Sequence, residues 1–267
     1  MANKIIRGLK ALLFLLRHPS SVLQVYADAD AHQKEVITSY NLPKGLPLVD
    51  ITDLLGAINE NISLYSFLEG TSTPLDLVLL KGLAKTFRGG EYFEIGTWRG
   101  ESVANVASTG ITCTTFNLSD EQLAQRNISE KIIKLQGFYS KNYSAINHVY
   151  GDTRLFDFKS LNKKFDLIFI DGDHNFATVR NDTAKMFELL KDENSIIVWH
   201  DYGNTPEDIR WEVLNGILEG TPLHFRNNLY RVSNTLCAIF TRQKIQSYFS
   251  EFPETPRHNF FVHVEVK

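Results

Sequence analysis

Short runs rich in β-branched and aromatic residues alternate with helical stretches after Gly89-Gly90, and this alternation constrains the fold more than any other feature. Alternation of this kind is typical of a parallel sheet covered by helices on both faces. The predicted parallel strands are 91–95, 111–117, 148–151, 165–171 and 195–200, and the helices between them are 101–108, 121–139 and 176–190. Two last strands, 222–230 and 235–241, are joined by too short a connection for a crossover and should be antiparallel. The pattern predicts an α/β fold with a doubly wound, mostly parallel sheet and an antiparallel C-terminal strand pair.

The chain has 267 residues, of which 43% are hydrophobic, so one main domain with appendages is expected. Residues 1–70 read as an N-terminal helical appendage and linker. The main domain, 71–242, opens with a helix predicted over 75–87, because Thr71-Ser72-Thr73-Pro74 supplies a hydroxyl cap and a proline for the first turn. Residues 243–267 form an extension in which the alternating run 260–266 predicts a strand or an oligomer contact, so a homo-oligomer is one expectation.

The net charge and the cysteines indicate which partners the protein binds and in which cellular compartment it is found. The 28 basic and 31 acidic residues give a net charge of −3, which provides no overall positive field for nucleic acid. Cys113 and Cys237 lie within predicted strands, which favours buried free thiols over a disulfide. Their spacing is not that of metal ligands. These features predict a cytoplasmic protein that does not bind nucleic acid.

Residues 4–17 have apolar side chains on one helical face and basic side chains opposite, which predicts a basic amphipathic helix. Its apolar run, 11–16, is shorter than the roughly 20 residues that span a bilayer. Two interpretations remain open: the helix packs on the main domain or a second subunit, or it rests on the anionic inner surface of a membrane.

The first predicted parallel strand leads into the loop Glu94-Ile95-Gly96-Thr97-Trp98-Arg99-Gly100. Glycine lets such a loop turn sharply and approach a ligand, and ligands of open parallel sheets lie beyond the carboxyl ends of the strands. Trp98 stands where the dinucleotide fingerprint G-x-G-x-x-G has its second glycine. An oxidoreductase that uses a nicotinamide cofactor is therefore the least favoured class.

Three segments together resemble one family. The run E-I-G-T-W-R-G-E-S resembles motif I of class I S-adenosylmethionine-dependent methyltransferases, and it is followed in family order by I-D-G-D-H at 170–174 and W-H-D-Y at 199–202. The similarity, from Leu75 to Thr241, is greatest to the family of small bacterial sugar and macrolide O-methyltransferases and cephalosporin-hydroxylase-like proteins, the methyltransferase family 24 type. It implies a Rossmann-like fold that binds S-adenosylmethionine.

The resemblance also implies site residues, transferred position by position. Contacts to S-adenosylmethionine are expected from Glu94, Gly96, Thr97, Trp98, Gly100, Ser102, Asn117, Asp152, Thr153 and Asp171. Asp152 would receive the adenine amino group. Asn117 is a departure, because the family usually has a carboxylate there to bind the ribose hydroxyls, and an amide binds a diol more weakly.

Charged side chains at Asp171, Asp173, His174, His200 and Asp201 should converge at the ends of two neighbouring strands. In the metal-dependent members of the resembling family, the positions of Asp171, His200 and Asp201 hold a divalent metal, for which Mg²⁺ is the first expectation. His200 stands where the family usually has an oxygen ligand, and two alternatives stay open. His200 either binds the metal, which would favour Mn²⁺ or Fe²⁺, or does not bind it.

His174 occupies the position of the general base in related enzymes, where an imidazole can take the proton of an acceptor hydroxyl. The alternative is that His174 only caps the helix that begins near Asn175.

The sequence thus predicts an S-adenosylmethionine-dependent methyltransferase that performs metal-assisted O-methylation of a hydroxyl on a sugar, a glycan or another small polar acceptor. A metal-independent enzyme is a variant of this hypothesis. The alternative is a non-catalytic cofactor-binding module that serves at a membrane surface or in an assembly.

Overall fold

The computed structural model of this protein describes residues 31–266, so the amphipathic helix predicted at 4–17 lies outside the described residues. The strands are β1 (Leu48–Val49), β2 (Glu91–Ile95), β3 (Thr112–Asn117), β4 (Ile146–Tyr150), β5 (Leu167–Ile170), β6 (Ile196–Trp199), β7 (Leu229–Val232), β8 (Ala238–Phe240) and β9 (Ser247–Tyr248). The helices are α1 (described over 31–40), α2 (Ile51–Leu55), α3 (Pro74–Thr86), α4 (Glu101–Ala107), α5 (Asp120–Gln125), α6 (Glu130–Ile133), α7 (Phe176–Phe187) and α8 (Trp211–Gly220).

One sheet holds all nine of these strands, in the order β4-β3-β2-β5-β6-β8-β7-β1-β9. Strands β4, β3, β2, β5 and β6 pair in parallel. Strand β8 is antiparallel to both β6 and β7. The order reverses beside β2, which is the switch point where α/β sheets bind ligands. The predicted Rossmann-like, doubly wound fold with an antiparallel C-terminal pair is confirmed.

Apolar side chains from alternate positions of each strand fill two cores, one on each face of the sheet. On one face, Phe93, Phe165 and Trp199 pack with α7 and α8. On the other, Tyr92, Phe169 and Val198 pack with α3 and α4. Because both faces are covered, the only part of the parallel strands left for binding is the edge formed by their ends.

Helix starts follow the local sequence. Thr73 caps α3 in a capping box with Asp76: Asp76 N–H donates to Thr73 Oγ1, and Thr73 N–H donates to the Asp76 carboxylate. Asn175 caps α7, where its side chain accepts from Thr178 N at 3.0 Å. Both caps lie at the edge where the parallel strands end, so they also fix side chains near that edge.

Three predicted elements differ from the structure. The strand expected at 222–230 begins only at Leu229, because Leu223–Asn228 is a 3-10 helix. The single helix expected at 121–139 is two short helices, α5 and α6, followed by turns. The strand expected at 260–266 is not formed, and its side chains are largely exposed.

Strands β1 and β9 were not predicted. Leu48 of β1 pairs with Arg231 of β7 on one side and with Tyr248 of β9 on the other. Segments before and after the main domain therefore extend its sheet. Within residues 31–266, no helix is long and apolar enough to cross a membrane.

Candidate active site

The carboxyl ends of β2, β5 and β6 lie side by side, which brings distant parts of the sequence to one edge. Ile95 pairs with Ile170, and Ile170 pairs with Trp199. The ladder continues one residue further, where Asp171 N donates to Ile95 O at 2.8 Å and His200 N donates to Ile170 O at 3.0 Å. Gly96, Asp171 and His200 consequently follow three neighbouring strands at the same level of the sheet.

Two features of the structure require glycine at position 96: its backbone conformation and the close approach of Asp171. Its φ is +93°, and a Cβ at this position would lie 1.9 Å from the carbonyl oxygen of Asp171. No side chain fits such a gap, and only glycine adopts this φ without strain. The glycine lets the loop after β2 pack directly against the end of β5.

The rest of this loop is held from two sides. Thr97 Oγ1 hydrogen-bonds Thr115 Oγ1 at 2.6 Å, and Tyr139 N donates to Arg99 O at 2.8 Å. Trp98 has a φ of +42°, unusual for a bulky residue and typical of functional loops. Its indole Nε1 is buried and has no hydrogen-bond partner among the described residues. These contacts hold the loop on both sides, and the indole N–H of Trp98 remains a buried donor without a partner among the described residues.

Glu94 lies beneath the loop in a fully buried polar cluster. Tyr92 Oη donates to Glu94 Oε2 at 2.7 Å, and Thr115 Oγ1 lies 3.5 Å from Glu94 Oε1. Burial raises the pKa of Glu94 to about 8, although hydrogen bonds from Tyr92 and Ser102 act in the opposite direction. Glu94 is therefore largely protonated at neutral pH and braces β2, β3 and the start of α4.

Asn117 ends β3, at the position where the resemblance implies a ribose contact. Its Nδ2 donates to Gln136 Oε1 at 3.0 Å. The two amides form a neutral hydrogen-bonding pair in place of the usual carboxylate, so Gln136 joins the residues to be considered for ribose binding.

Asp152, implied as the adenine contact, is already engaged by two arginines. Arg154 contacts both carboxylate oxygens, at 3.0 and 2.7 Å, and Arg126 Nη2 donates to Oδ2 at 2.7 Å. The side-chain hydrogen bonds of Arg154 hold the pKa of Asp152 at about 2, against the smaller effect of burial. An adenine amino group would have to share this carboxylate with the guanidinium groups.

The neighbouring Thr153 faces a second carboxylate, that of Asp182 on α7, which sequence reasoning did not identify. Burial raises the pKa of Asp182 to about 6, and the side chains of Thr153 and Asn181 act against the rise. Its Oδ2 has no partner among the described residues.

Asp171, His200 and Asp201 form a compact group of potential metal ligands. Their ligand atoms all lie within 4.8 Å of one another. His200 Nδ1 is 3.3 Å from Asp171 Oδ1 and 3.2 Å from Asp201 Oδ2. Adjacent ligands of an octahedral ion bound at about 2.1 Å are roughly 3 Å apart, so the spacing fits a divalent cation.

The electrostatics of this group are dominated by buried charge. Burial alone would lower the pKa of His200, but Asp171, Asp201 and Asp76 raise it well above the usual value. Burial would likewise raise the pKa of Asp201, yet His200, with further contributions from His174 and Arg210, brings it down to about 2. Two carboxylates directed at one imidazole nitrogen indicate a place for positive charge.

His174 contacts the same group from the solvent side. Its Nδ1 is 3.1 Å from Asp201 Oδ2, and 43% of its side chain is exposed. The alternative that His174 caps α7 is wrong, because the Asn175 side chain does so. Asp173, expected to join the cluster, instead accepts hydrogen bonds from Asn175, which orients the turn.

Two further residues complete the cluster. Arg210 Nη1 is 3.2 Å from Asp201 Oδ1. Asp76 Oδ2, on α3, is 3.1 Å from His200 Nε2. Neither follows a predicted parallel strand, so the rule that located the other residues could not find them.

A sheet of this strand order, with a glycine loop after its first long strand and the Asp171 and His200-Asp201 segments after two later ones, is the fold of class I methyltransferases. Residues 93–202 match the family model described as "Methyltransferase domain". The match extends from β2 to the end of the His200-Asp201 segment, so this part of the chain is similar to a methyltransferase domain of that family.

Comparisons over longer stretches give more distant similarities. The uncharacterized protein R132 of Acanthamoeba polyphaga mimivirus is 26% identical over 147 residues, which are 53% of this chain and 64% of that protein. The chain thus covers less than two thirds of this relative.

Solved structures also resemble this chain. The methyltransferase PaMTH1 of Podospora anserina is 18% identical, covers 65% of this chain and 80% of its own, and has a TM-score of 0.45. CalS11, a TDP-rhamnose 3'-O-methyltransferase of calicheamicin biosynthesis, is 13% identical, with 64% and 80% covered and a TM-score of 0.45. Such similarities do not bear on activity.

Proposed function

We propose that this protein is an S-adenosylmethionine-dependent methyltransferase that methylates a hydroxyl group of a sugar, a glycan or another small polar acceptor, with help from a divalent metal. The observation that carries the proposal is the cluster of His174, Asp201, His200 and Asp171 immediately beside the Gly96 loop. A base, a cation site and a cofactor loop at one edge are what such a transfer requires.

The residues at this edge fit S-adenosylmethionine. The Gly96 to Gly100 loop, with Thr97 and Trp98, would hold the methionine part. Asn117 would hold the ribose. S-adenosylmethionine supplies a methyl group activated by its positively charged sulfur, and the protein supplies alignment with the acceptor oxygen.

His174 would remove the acceptor proton. With Nδ1–H donating to Asp201 Oδ2, the free electron pair of the imidazole is on Nε2, and the exposed ring can reach a bound hydroxyl. Asp201 fixes the tautomer and stabilises the imidazolium that forms. Asp171, His200 and Asp201 would hold Mg²⁺ or Mn²⁺, which makes a hydroxyl easier to deprotonate when bound.

The proposal is tested by transfer of labelled methyl from S-adenosylmethionine to fractionated small-molecule and glycan extracts, with Mg²⁺, with Mn²⁺ and with EDTA. We expect a labelled product that EDTA reduces. Failure of the protein to bind S-adenosylhomocysteine calorimetrically would contradict the proposal, and turnover insensitive to EDTA would favour the metal-independent variant.

A second candidate is a non-catalytic module that keeps the cofactor fold. It is favoured by two observations: Asn117 is paired with Gln136, and both oxygens of Asp152 are occupied by arginines. His174→Ala separates the two candidates. For an enzyme we expect turnover to fall by about 10²- to 10⁴-fold while S-adenosylhomocysteine affinity is retained. For the module, no turnover is measurable in either protein.

The location of the protein and the contacts of its residues 4–17 are further parts of the proposal. We propose a cytoplasmic enzyme whose residues 4–17 contact either its own domain, a second copy or an anionic membrane. Sedimentation of the full chain with phosphatidylglycerol vesicles, against neutral phosphatidylcholine vesicles, tests the membrane contact.

A further inference from the structure

Asp76 is a buried carboxylate that stands outside the sequence motifs and yet contacts the candidate metal cluster. It is the third residue of α3 and has no exposed surface. Its Oδ2 lies 3.1 Å from His200 Nε2, across a separation of 124 residues in the chain. The residues that follow it on α3, 77–80, are buried leucines and valine, so Asp76 is a carboxylate in an otherwise apolar part of this helix.

Several elements fix this carboxylate. Thr73 N donates to Oδ2 at 2.6 Å, and Leu236 N, just before β8, donates to Oδ1 at 2.8 Å. Cys237 Sγ lies 3.6 Å from Oδ1. With both oxygens held by α3 and by the chain entering β8, the position of Asp76 is set independently of His200.

The fixed carboxylate determines how His200 presents its ring. A neutral imidazole whose Nε2–H donates to Asp76 carries its free electron pair on Nδ1, and this is the form of the ring that binds a metal ion. Nδ1 is the atom that faces Asp171 Oδ1 and Asp201 Oδ2, at 3.3 and 3.2 Å. We propose that Asp76 is a positioning residue that holds His200 in the orientation and tautomer in which Nδ1, together with Asp171 and Asp201, binds a divalent cation. This inference rests on the metal-assisted form of the proposed function.

A purely structural role is the competing explanation, because Asp76 is also part of the cap of α3. The chain offers a control for it. Thr73→Ala removes the hydroxyl that accepts from Asp76 N at 3.3 Å but leaves the contact between Asp76 and His200 in place. Asp76→Asn keeps the size of the side chain. With its amide nitrogen in place of Oδ2 it loses the bonds from Thr73 N and His200 Nε2, and with the nitrogen in place of Oδ1 it loses the bond from Leu236 N. In both orientations His200 loses a negatively charged acceptor.

The experiment measures Mn²⁺ binding alone, by calorimetry and by pulsed EPR, in the full-length wild type, Asp76→Asn and Thr73→Ala. In the wild type we expect bound Mn²⁺ with hyperfine coupling to a directly coordinated imidazole nitrogen. Loss of an outer partner of a metal-binding histidine weakens affinity by about 10- to 100-fold. Asp76→Asn should show that loss and a weakened nitrogen signal, whereas Thr73→Ala should bind Mn²⁺ within about twofold of the wild type.

Each other outcome overturns a distinct claim. Equal affinity and an equal nitrogen signal in Asp76→Asn and wild type would overturn the role of Asp76 and leave the metal centre standing. Bound Mn²⁺ without nitrogen coupling in the wild type would remove His200 from the ligand set, and the inference with it. If the wild type bound S-adenosylhomocysteine but no Mn²⁺, both the inference and the metal-assisted form would fall, while methyl transfer would remain.

Discussion

Gly96 is the residue where backbone conformation and function are most tightly joined. Its positive φ and its close approach to Asp171 O bring the loop after β2 against the end of β5. Gly110 has a similar φ, +86°, but a Cβ there would meet nothing within 4 Å. Substitution of Gly110 therefore tests the effect of a positive φ alone, and substitution of Gly96 tests the positive φ together with the contact with Asp171.

We expect Gly96→Ala to destabilise the protein far more than Gly110→Ala. Strain at a left-handed position is worth about 1–2 kcal/mol for either variant. The collision with Asp171 O should bring the loss for Gly96→Ala to roughly 4 kcal/mol or more, because it can be relieved only by moving backbone. Urea unfolding measures both free energies, and equal losses would show that the loop relaxes freely.

The site residues that could be predicted from the sequence are those that follow parallel strands. The sequence predicts that Asp171, His174, His200 and Asp201 lie together because the ends of parallel strands share an edge, and the structure confirms contacts of His174 with Asp201 and of His200 with Asp171 and Asp201. Asp76 and Arg210 reach the cluster through side-chain contacts made by tertiary packing. The threonine before Pro74 signals a helix cap, but nothing local signals that Asp76 meets His200.

Glu94 should make stability depend on pH. Its pKa is raised from 4.5 to about 8 in the folded protein by burial, so the folded state keeps a proton that the unfolded state loses. The contribution of Glu94 is fully present below pH 4.5 and is lost as pH rises toward 8. Glu94→Gln lacks this titration.

We expect the unfolding free energy of Glu94→Gln, relative to the wild type, to rise between pH 5 and 8 by on the order of 4 kcal/mol. Guanidinium unfolding at several pH values measures the difference. A constant difference across this range would mean that the carboxyl group of Glu94 is not protonated in the folded state.

At the scale of elements, hydrogen bonds from helix α4 hold an irregular segment, 60–71, beside the loop after β2. Asn105 Nδ2 donates to Leu64 O at 2.9 Å, and Asn105 Oδ1 accepts from Ser63 N at 3.2 Å. Glu101 Oε1 accepts from Ser66 N at 2.7 Å. The same segment meets the loop directly, since Arg99 Nη2 donates to Glu69 O at 2.9 Å.

Asn105→Ala should loosen this segment selectively. We expect amide hydrogen exchange within 62–71 to accelerate about tenfold or more, since the lost bonds are worth about 1–2 kcal/mol, and S-adenosylhomocysteine affinity to fall with it. Asn147→Ala, at an exposed position of β4, is the control. If exchange in 62–71 were the same in both variants, Asn105 would not be what holds the segment.

Element lengths explain which parts of the fold were predictable. Strands β2, β3, β5 and β6 lie within a residue or two of their predicted bounds, because each is a run with four consecutive buried residues, most of them apolar. Strands β1 and β9 have two residues each and carry no such pattern. The run 260–266 has strand composition, but it pairs with no strand among the described residues.

Across the whole molecule, the stretch 250–258 ties together parts that are far apart in the chain. His258 Nε2 contacts Asp50, the cap of α2, at 2.8 Å. Glu254 N donates to Glu207 Oε1 at 2.6 Å, in the loop after β6. The Glu254 side chain pairs with Arg231 of β7. This stretch therefore fastens β1, β7 and the loop that follows Asp201.

The pair formed by Glu254 and Arg231 should matter to global stability, whereas the neighbouring pair of Glu251 and Lys44 should not. The Arg231 side chain is only 7% exposed, so loss of its carboxylate partner leaves a nearly buried charge unbalanced. The Glu251 and Lys44 side chains are 85% and 51% exposed, and water replaces their contact with little change in free energy. We expect Glu254→Gln to lower the unfolding free energy by about 1–3 kcal/mol and Glu251→Gln to change it by less than about 0.5 kcal/mol. Urea unfolding of the two variants, which remove the same charge three residues apart, measures the difference, and equal losses would mean that the stretch 250–258 adds only surface charge.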